Sequence, residues 1–279
     1  MLEPLASRTL DARGLKLPLG SRTLVMGIIN VTPDSFSDGG LHASPEAAVA
    51  AGLKLAAEGA DIVDVGGEST RPGHQPVDAE TELAQAIPVV EGLAAETKTP
   101  ISIDTYKAQV AEIALKKGAR IVNDVWGLRD PEMAKVVAAS EAAVVIMHNR
   151  ESTDASLDIF QELKAYFDRS LERAFKAGVH KDRIVLDPGI GFGKTLQQNL
   201  SILGRLEDLS ALGFPFLLGT SRKSFIGRLS PSEPRDRLPG TIAANLIAVL
   251  AGVSIIRVHD VAAHVQALKI IEAIREARG

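Results

Sequence analysis

A short, apolar, β-branched run recurs eight times along the chain, at 24–29, 61–65, 100–103, 120–122, 143–147, 183–186, 214–218 and 254–258. Within each run the apolar character is nearly continuous rather than alternating, which suits a parallel strand covered on both faces. Segments of helical composition lie between the runs, at 45–58, 80–96, 107–117, 157–177, 196–209 and 261–277. The joint from helix to following strand repeats a signature: Glu58-Gly59-Ala60, Lys117-Gly118-Ala119, Ala177-Gly178-Val179, Leu212-Gly213-Phe214 and Ala251-Gly252-Val253. Each glycine can take the left-handed conformation that ends a helix. Strand and helix alternating over short connections predict a single (β/α)8 TIM barrel spanning residues 24–279. A doubly wound open sheet of similar length satisfies the same pattern. Residues 1–23, with Gly14, Pro18 and Gly20, precede the first unit and are expected to pack on the barrel as a cap or hairpin.

Composition narrows the classes of function. A length of 279 residues fits one barrel, and 46% hydrophobic with 24% charged residues is the balance of a packed globular protein. A net charge of -4 without any dense Lys/Arg run gives no reason to approach nucleic acid or an anionic membrane. The absence of cysteine excludes disulfides, thiolate metal sites and cysteine nucleophiles, and it suits a reducing compartment, so a cytoplasmic location is expected. Residues around Glu3 and Arg8 lack the apolar stretch of an export signal. The uncharged run 241–256 is interrupted by Asn245, Gly252 and Ser254 and is shorter than the roughly 20 residues of a membrane span. It reads as a buried helix followed by a buried strand.

In a barrel of this type the chemistry sits at the C-terminal ends of the strands. Those ends are unusually polar here. Strand one runs into Asn30, strand two into Glu68, Thr70 and Arg71, strand three into Asp104, and strand four into Asn123 and Asp124. Strand five ends at His148, strand six at Asp187, strand seven at Ser221, Arg222 and Lys223, and strand eight at Arg257 and His259. Taken singly, each residue has a structural reading: Asp and Asn are common helix caps, and a lone His is more often scaffold than catalyst. Convergence carries the argument. Carboxylates and amides at ends three, four and six, with cations at seven and eight, describe a pocket for a polar heterocycle beside an anion.

Two loops add to this. The connection after strand one, residues 30–40, is long and contains Pro33 and paired glycines, and it reads as a mobile lid. The connection after strand two, residues 66–73, combines glycines with Thr70 and Arg71, side chains that can contact phosphate. The segment Asp187-Pro188-Gly189-Ile190-Gly191-Phe192-Gly193-Lys194 does not have the spacing of a nucleotide-binding glycine loop, and its glycines shape a turn that presents Asp187 and Phe192.

These motifs resemble the dihydropteroate synthases along nearly the whole chain. The resemblance is carried by Met26-Gly27-Ile28-Ile29-Asn30-Val31-Thr32-Pro33-Asp34-Ser35-Phe36-Ser37-Asp38-Gly39-Gly40 and by Asp64-Val65-Gly66-Gly67-Glu68-Ser69-Thr70-Arg71-Pro72-Gly73. Ser102-Ile103-Asp104-Thr105, Val122-Asn123-Asp124, Asp187-Pro188-Gly189, Ser221-Arg222-Lys223-Ser224 and Arg257-Val258-His259-Asp260 follow in the family's order. The resemblance implies a barrel enzyme of folate biosynthesis, usually a homodimer. Its reaction would join 6-hydroxymethyl-7,8-dihydropterin pyrophosphate to p-aminobenzoate, with Mg2+ assisting the pyrophosphate. Residue by residue it implies that Asp104, Asn123, Asp187 and Lys223 bind the pterin, with Asp104 and Lys223 also catalytic. It implies that Thr70, Arg257 and His259 bind pyrophosphate, that Asn30 contacts the metal, and that Thr70, Phe192 and Ser224 shape the p-aminobenzoate pocket. It implies that Asp38 and Arg71 are catalytic too, on mobile loops that close over pyrophosphate and shape the p-aminobenzoate pocket.

The implied roles agree with elementary chemistry. A pterin edge offers N–H donors, so a carboxylate at Asp187 can accept two bonds and Asn123 can both donate and accept. No covalent intermediate is expected, because no nucleophile and base pair stands out. A pterin-dependent methyltransferase resembles the same barrel but has no use for the 30–40 loop, Lys223 or the Arg257/His259 pair. A non-catalytic pterin-binding barrel would have no need to retain both loops.

Overall fold

In the computed structural model, which describes residues 8–31, 44–68 and 76–277, the chain begins with an antiparallel hairpin, β1 (Arg8–Ala12) and β2 (Leu15–Leu19). Its two-residue turn places Arg13 and Gly14 at φ 55° and 80°, the left-handed geometry that matches the twist of the flanking strands. Eight parallel strands follow: β3 (Leu24–Asn30), β4 (Ile62–Gly66), β5 (Ile101–Asp104), β6 (Ile121–Asp124), β7 (Ala143–Met147), β8 (Ile184–Asp187), β9 (Leu217–Leu218) and β10 (Ile255–Val258). Their order is β8-β7-β6-β5-β4-β3-β10-β9. A parallel bridge between Leu186 and Phe216, with the Leu186 N–H donating to Pro215 O at 3.0 Å, joins β8 to the segment entering β9. The sheet therefore closes into the barrel, and the open-sheet alternative is removed.

The outer layer comprises α1 (Pro45–Ala57), α2 (Ala79–Glu96), α3 (Ala108–Lys116), α4 (Met133–Ser140), α5 (Ile159–Ala177), α6 (Leu196–Gly204), α7 (Ser224–Leu229), α8 (Leu238–Leu250) and α9 (Val261–Glu276). Side-chain caps set several starts: Ser44 accepts from Ala47 N, Asp158 from Phe160 N and Gln161 N, and Thr195 with Gln198 forms a capping box. The recurring joint glycines, 59, 118, 178, 213 and 252, all have φ between 74° and 118°.

Two sequence expectations need correction, and the short helices α4 and α7, which lack side-chain caps, leave no signal of their own in the sequence. The helix expected over 196–209 ends at Gly204, a weak helix former, and the chain continues as a 3-10 turn over Leu206–Leu212. The run 241–256 does form a helix and then a strand, but α8 buries only the face with Thr241, Asn245, Ala248 and Val249, leaving Ile247 and Leu250 at 54% and 41% exposure.

Because residues two apart on a strand share a face, each strand divides its side chains between two cores. Val25, Val63, Val65, Ile103, Val122, Val144, Ile146 and Leu186 pack outward beneath the helices. Leu24, Met26, Ile62, Ile121, Val145, Val185, Leu217 and Ile255 form a separate interior core with Leu10, Ala12, Leu17 and Leu19 of the hairpin. The hairpin thus plugs one end of the barrel with apolar side chains. Arg120 and Arg13 tie it down, through Arg120 Nη1 to Arg13 O at 3.0 Å and Arg13 Nη1 to Ala119 O at 3.0 Å.

Candidate active site

Following the interior faces toward the strand C-termini, the side chains change from apolar to polar within one alternation: Ile62 gives way to Asp64, Ile121 to Asn123, Val185 to Asp187 and Ile255 to Arg257. The ladder sets the level. Asn30 pairs with Gly66, Gly66 with Asp104 and Asp104 with Asn123, so four adjacent strands present these residues side by side. Gly66 is the member without a side chain. A Cβ there would lie 3.5 Å from Asp104 Cβ and 3.8 Å from Asn30 Oδ1, so glycine keeps open the space between the amide and the carboxylate.

Arg257 holds the centre. Its Nε donates to Asp64 Oδ2 at 2.7 Å and its Nη2 to Asp104 Oδ2 at 2.6 Å, while Asn123 Nδ2 donates to Asp64 Oδ2 at 3.3 Å. The second oxygen of each partner is left over. Asp64 Oδ1, Asp104 Oδ1 and Asn123 Oδ1 are buried acceptors with no hydrogen-bond donor among the described residues. Burial pushes the Asp104 carboxyl above its ordinary range; Arg257 opposes that shift and the neighbouring Asp64 carboxylate reinforces it. Burial likewise works against the Arg257 charge, yet Asp64 and Asp104 hold the guanidinium above its ordinary value.

Asp187 closes another side of the pocket. Burial raises its pKa to about 6, against the Gly189 N–H, which donates to Asp187 Oδ1 at 2.7 Å, and the Lys223 ammonium. The following glycines keep the turn tight: a Cβ at Gly189 would lie 2.0 Å from His148 O. Lys194 at the end of this turn points inward, donating to Gly189 O at 2.8 Å and Phe192 O at 3.0 Å and meeting His148 Nδ1 at 2.7 Å. It clamps the loop, which is a structural task and not that of a phosphate-binding lysine. Burial lowers the Lys194 pKa to about 7, with Asp187 opposing, and lowers that of His148 to about 2, with Lys194 adding to it.

The loop after β9 depends on Arg222, whose φ of 59° is unusual for a residue with a Cβ. A forked pairing of its guanidinium with Asp260, at 2.7 and 3.2 Å, holds this conformation. It turns Lys223 over the Phe192 ring, with Nζ 3.9 Å from the centroid. Next to it the His259 N–H donates to Ser221 Oγ at 3.2 Å and the Ser221 hydroxyl meets His259 Nδ1 at 2.9 Å.

Asn30, Asp104, Asn123, Asp187, Phe192, Lys223, Ser224, Arg257 and His259 thus all lie at strand ends or in the loops that follow them. Ser224 is the first residue of α7 and is exposed. Asp38, Thr70, Arg71 and most of the 30–40 loop fall outside the described residues. Sequence reasoning gave no role to Asp64, which lies inside a strand rather than at its end. The usable signal was an ionisable residue in the otherwise apolar run Ile62-Val63-Asp64-Val65. It also passed over Lys107, whose Nζ pairs with Glu68 and meets Glu82 Oε2 at 2.5 Å, while Tyr106 OH donates to Glu68 Oε1 at 3.0 Å. This buried network anchors the start of the loop after β4.

Known proteins resemble this chain in sequence and in fold. A family model described as "Pterin binding enzyme" matches residues 26–259. The dihydropteroate synthase of Bacillus subtilis (strain 168) is 45% identical over 259 residues, 92% of this chain and 90% of its own. Among solved structures, Clostridium difficile dihydropteroate synthase in the presence of pteroic acid has a TM-score of 0.88 and 52% identity, covering 92% of this chain and 98% of that one. Xanthomonas albilineans dihydropteroate synthase with 4-aminobenzoic acid has a TM-score of 0.92 and 46% identity, covering 97% and 99%. With a family model matching most of its length and relatives this similar in sequence and in fold, the chain belongs to the dihydropteroate synthases of the pterin-binding enzyme family.

Proposed function

We propose that the rim joins dihydropterin pyrophosphate to p-aminobenzoate by a dissociative substitution, with the polar strand ends holding the pterin and the β10 end holding the diphosphate. The observation that carries the pterin assignment is the set of buried acceptors without donors, Asp104 Oδ1 and Asn123 Oδ1, beside the Asp187 carboxylate. A pterin edge supplies N–H donors to match them. An unmatched buried acceptor costs about 1–3 kcal/mol, so a ligand that satisfies several gains affinity and orientation together. Lys223, poised over Phe192, supplies the cation for the pterin carbonyl and ring nitrogen.

For the anion, Arg257 and His259 lie at and just beyond the end of β10. A Ser221 hydroxyl that accepts from the His259 N–H and donates to Nδ1 leaves the ring proton on Nε2, a donor suited to a phosphate oxygen. The C–O bond to the exocyclic methylene breaks with its electron pair going to diphosphate. The cation that remains is delocalised into the pterin, and the Asp104 carboxylate beside the ring stabilises it. The aromatic amine of p-aminobenzoate then forms the C–N bond and loses a proton. Phe192, Ser224 and Thr70 form its pocket, and the loops bearing Asp38 and Arg71 close over it.

Mg2+ fits this chemistry through Asn30. Asn30 would lend it an amide oxygen, a ligand suited to a hard cation that keeps much of its hydration. A cation held there would neutralise charge on the leaving diphosphate.

The outer surface supports a homodimer. Five of the seven exposed large apolar side chains among the described residues, Leu229, Ile247, Leu250, Ile270 and Ile274, lie on α7, α8 and α9. Sedimentation should give a dimer for the wild type and a monomer for Ile247→Lys. The cysteine-free sequence keeps the cytoplasm as the proposed location, and no helix among the described residues is long and apolar enough to cross a membrane.

The test of the activity is to incubate purified protein with dihydropterin pyrophosphate, p-aminobenzoate and Mg2+ and to weigh the product. Dihydropteroate and free pyrophosphate in equal amounts are expected. Pterin binding without that product would leave only a pterin-binding barrel.

A further inference from the structure

We propose that a cavity of about 400 Å³ on the flank of the rim is a second anion site, built for a compact polyanion bearing several phosphate groups and separate from the substrate pocket. Its walls include Trp126, Arg129, Arg150, Tyr166, Arg169 and Arg173, contributed by the loops after β6 and β7 and by α5. None of these residues carries a role in the synthase reaction.

The charge distribution points to an anion. The chain is net acidic, yet four guanidinium groups line this cavity and Glu151 is its one carboxylate. Glu151 pairs with Arg129 at 2.7 Å, and both side chains are largely exposed, so that pair is weak. Arg150, Arg169 and Arg173 form no ion pair among the described residues. Arg150 Nη1 is moreover buried with no hydrogen-bond acceptor among the described residues, so the described fold leaves this cationic donor unmatched.

The helix α5 sharpens the point. Elsewhere on it the cations are compensated one turn away, with Lys164 paired to Asp168 at 2.9 Å and Lys176 to Glu172 at 2.7 Å. Arg169 and Arg173 have the same i,i+4 spacing as a like-charge pair, which opposes helix formation, and both line the cavity. A bound anion turns that repulsion into attraction. Planar guanidiniums take phosphate oxygens two at a time, and several of them facing one cavity favour a ligand with several such groups.

The walls are held in place before any ligand arrives. Tyr166 OH donates to Trp126 O at 2.8 Å and Ser170 Oγ to Gly127 O at 2.8 Å, while the Asp124 carboxylate accepts from Trp126 N and Leu128 N. On the other side, a Cβ at Gly193 would sit 2.4 Å from Arg150 O, so Arg150 rests directly on the loop that presents Asp187 and Phe192.

Trp126 is the only tryptophan in the chain, which makes the cavity its own reporter. Tripolyphosphate titrated into the wild-type protein should change tryptophan fluorescence saturably, with an affinity that weakens as salt rises. In the exposed double variant Arg169→Ala/Arg173→Ala the affinity should fall at least tenfold, while His259→Ala, at the substrate's anion site, should keep it within twofold. Calorimetry of the same titrations should show one tripolyphosphate site fewer in the double variant. No saturable signal by either method, a signal reproduced by sulfate at matched ionic strength, an unchanged affinity in the double variant, or loss of the site in His259→Ala would each overturn the proposal.

Discussion

The two ends of the barrel are built from the same strands and behave oppositely. At the floor, Leu24, Met26, Ile62, Ile121, Val185 and Ile255 meet the hairpin's Leu10, Leu17 and Leu19 in an apolar plug. At the rim, two residues further along the same faces, Asp64, Asn123, Asp187 and Arg257 crowd together, and Asp104 joins them. Burial of the first set favours folding. Burial of the second set opposes the charges it contains, raising Asp187 to about 6 and pushing Asp104 up as well. Stability is thus gathered at one end, so that the other can hold polar groups whose buried acceptors the described residues leave unmatched.

The largest effect should come from removing the cation that reconciles the rim. Arg257→Ala leaves Asp64 and Asp104 buried without their partner, and the expected loss is roughly 3–5 kcal/mol of unfolding free energy near neutral pH. That loss should shrink in acid, where the carboxyls can take protons. Urea denaturation at several pH values measures it, and a flat pH dependence would show that the charges are not its cause.

A floor substitution should cost stability alone. Ile62→Ala, fully buried in the interior core, is expected to lose roughly 2–4 kcal/mol through lost transfer and a residual cavity. Per folded molecule its KM values and kcat should match the wild type. A changed KM for the pterin substrate would mean that the two ends are mechanically coupled.

The smallest effect has the opposite sign. The folded pKa of Asp187, about 6, lies above its ordinary 3.8, so the stability linked to its protonation is complete below that ordinary value and is lost as pH rises through about 6. Asp187→Asn should therefore make the unliganded protein more stable above that pH, by up to roughly 3 kcal/mol, and the advantage should vanish toward about pH 4. Thermal unfolding across this window reads it directly.

Much of this contrast could be read from the sequence, and the limits of that reading are physical. Strand positions were legible because buried parallel strands leave continuous apolar runs, and the joint glycines because their φ excludes most side chains. Strand ends were legible because polar residues interrupt those runs. The contacts between ends were not: no local pattern says that Arg257 reaches back 193 positions to Asp64. Lys194 was legible only as part of a turn, since its bonds to three backbone carbonyls depend on how the turn folds. The exposed face of α8 escaped notice because an unbroken apolar run looks the same whether the fold or a second subunit covers it.

Recognition of the N–H edge of a pterin by the rim carboxylates and amide is tested most directly by calorimetric titration of a pterin ligand into three proteins. Wild type and Ile62→Ala should bind with the same affinity. Asp187→Asn, which presents a donor where the pterin also donates, should bind about 10- to 100-fold more weakly, the equivalent of one or more unsatisfied buried contacts. Unchanged affinity in Asp187→Asn, or an equal loss in Ile62→Ala, would contradict the division between a stabilising floor and a recognising rim.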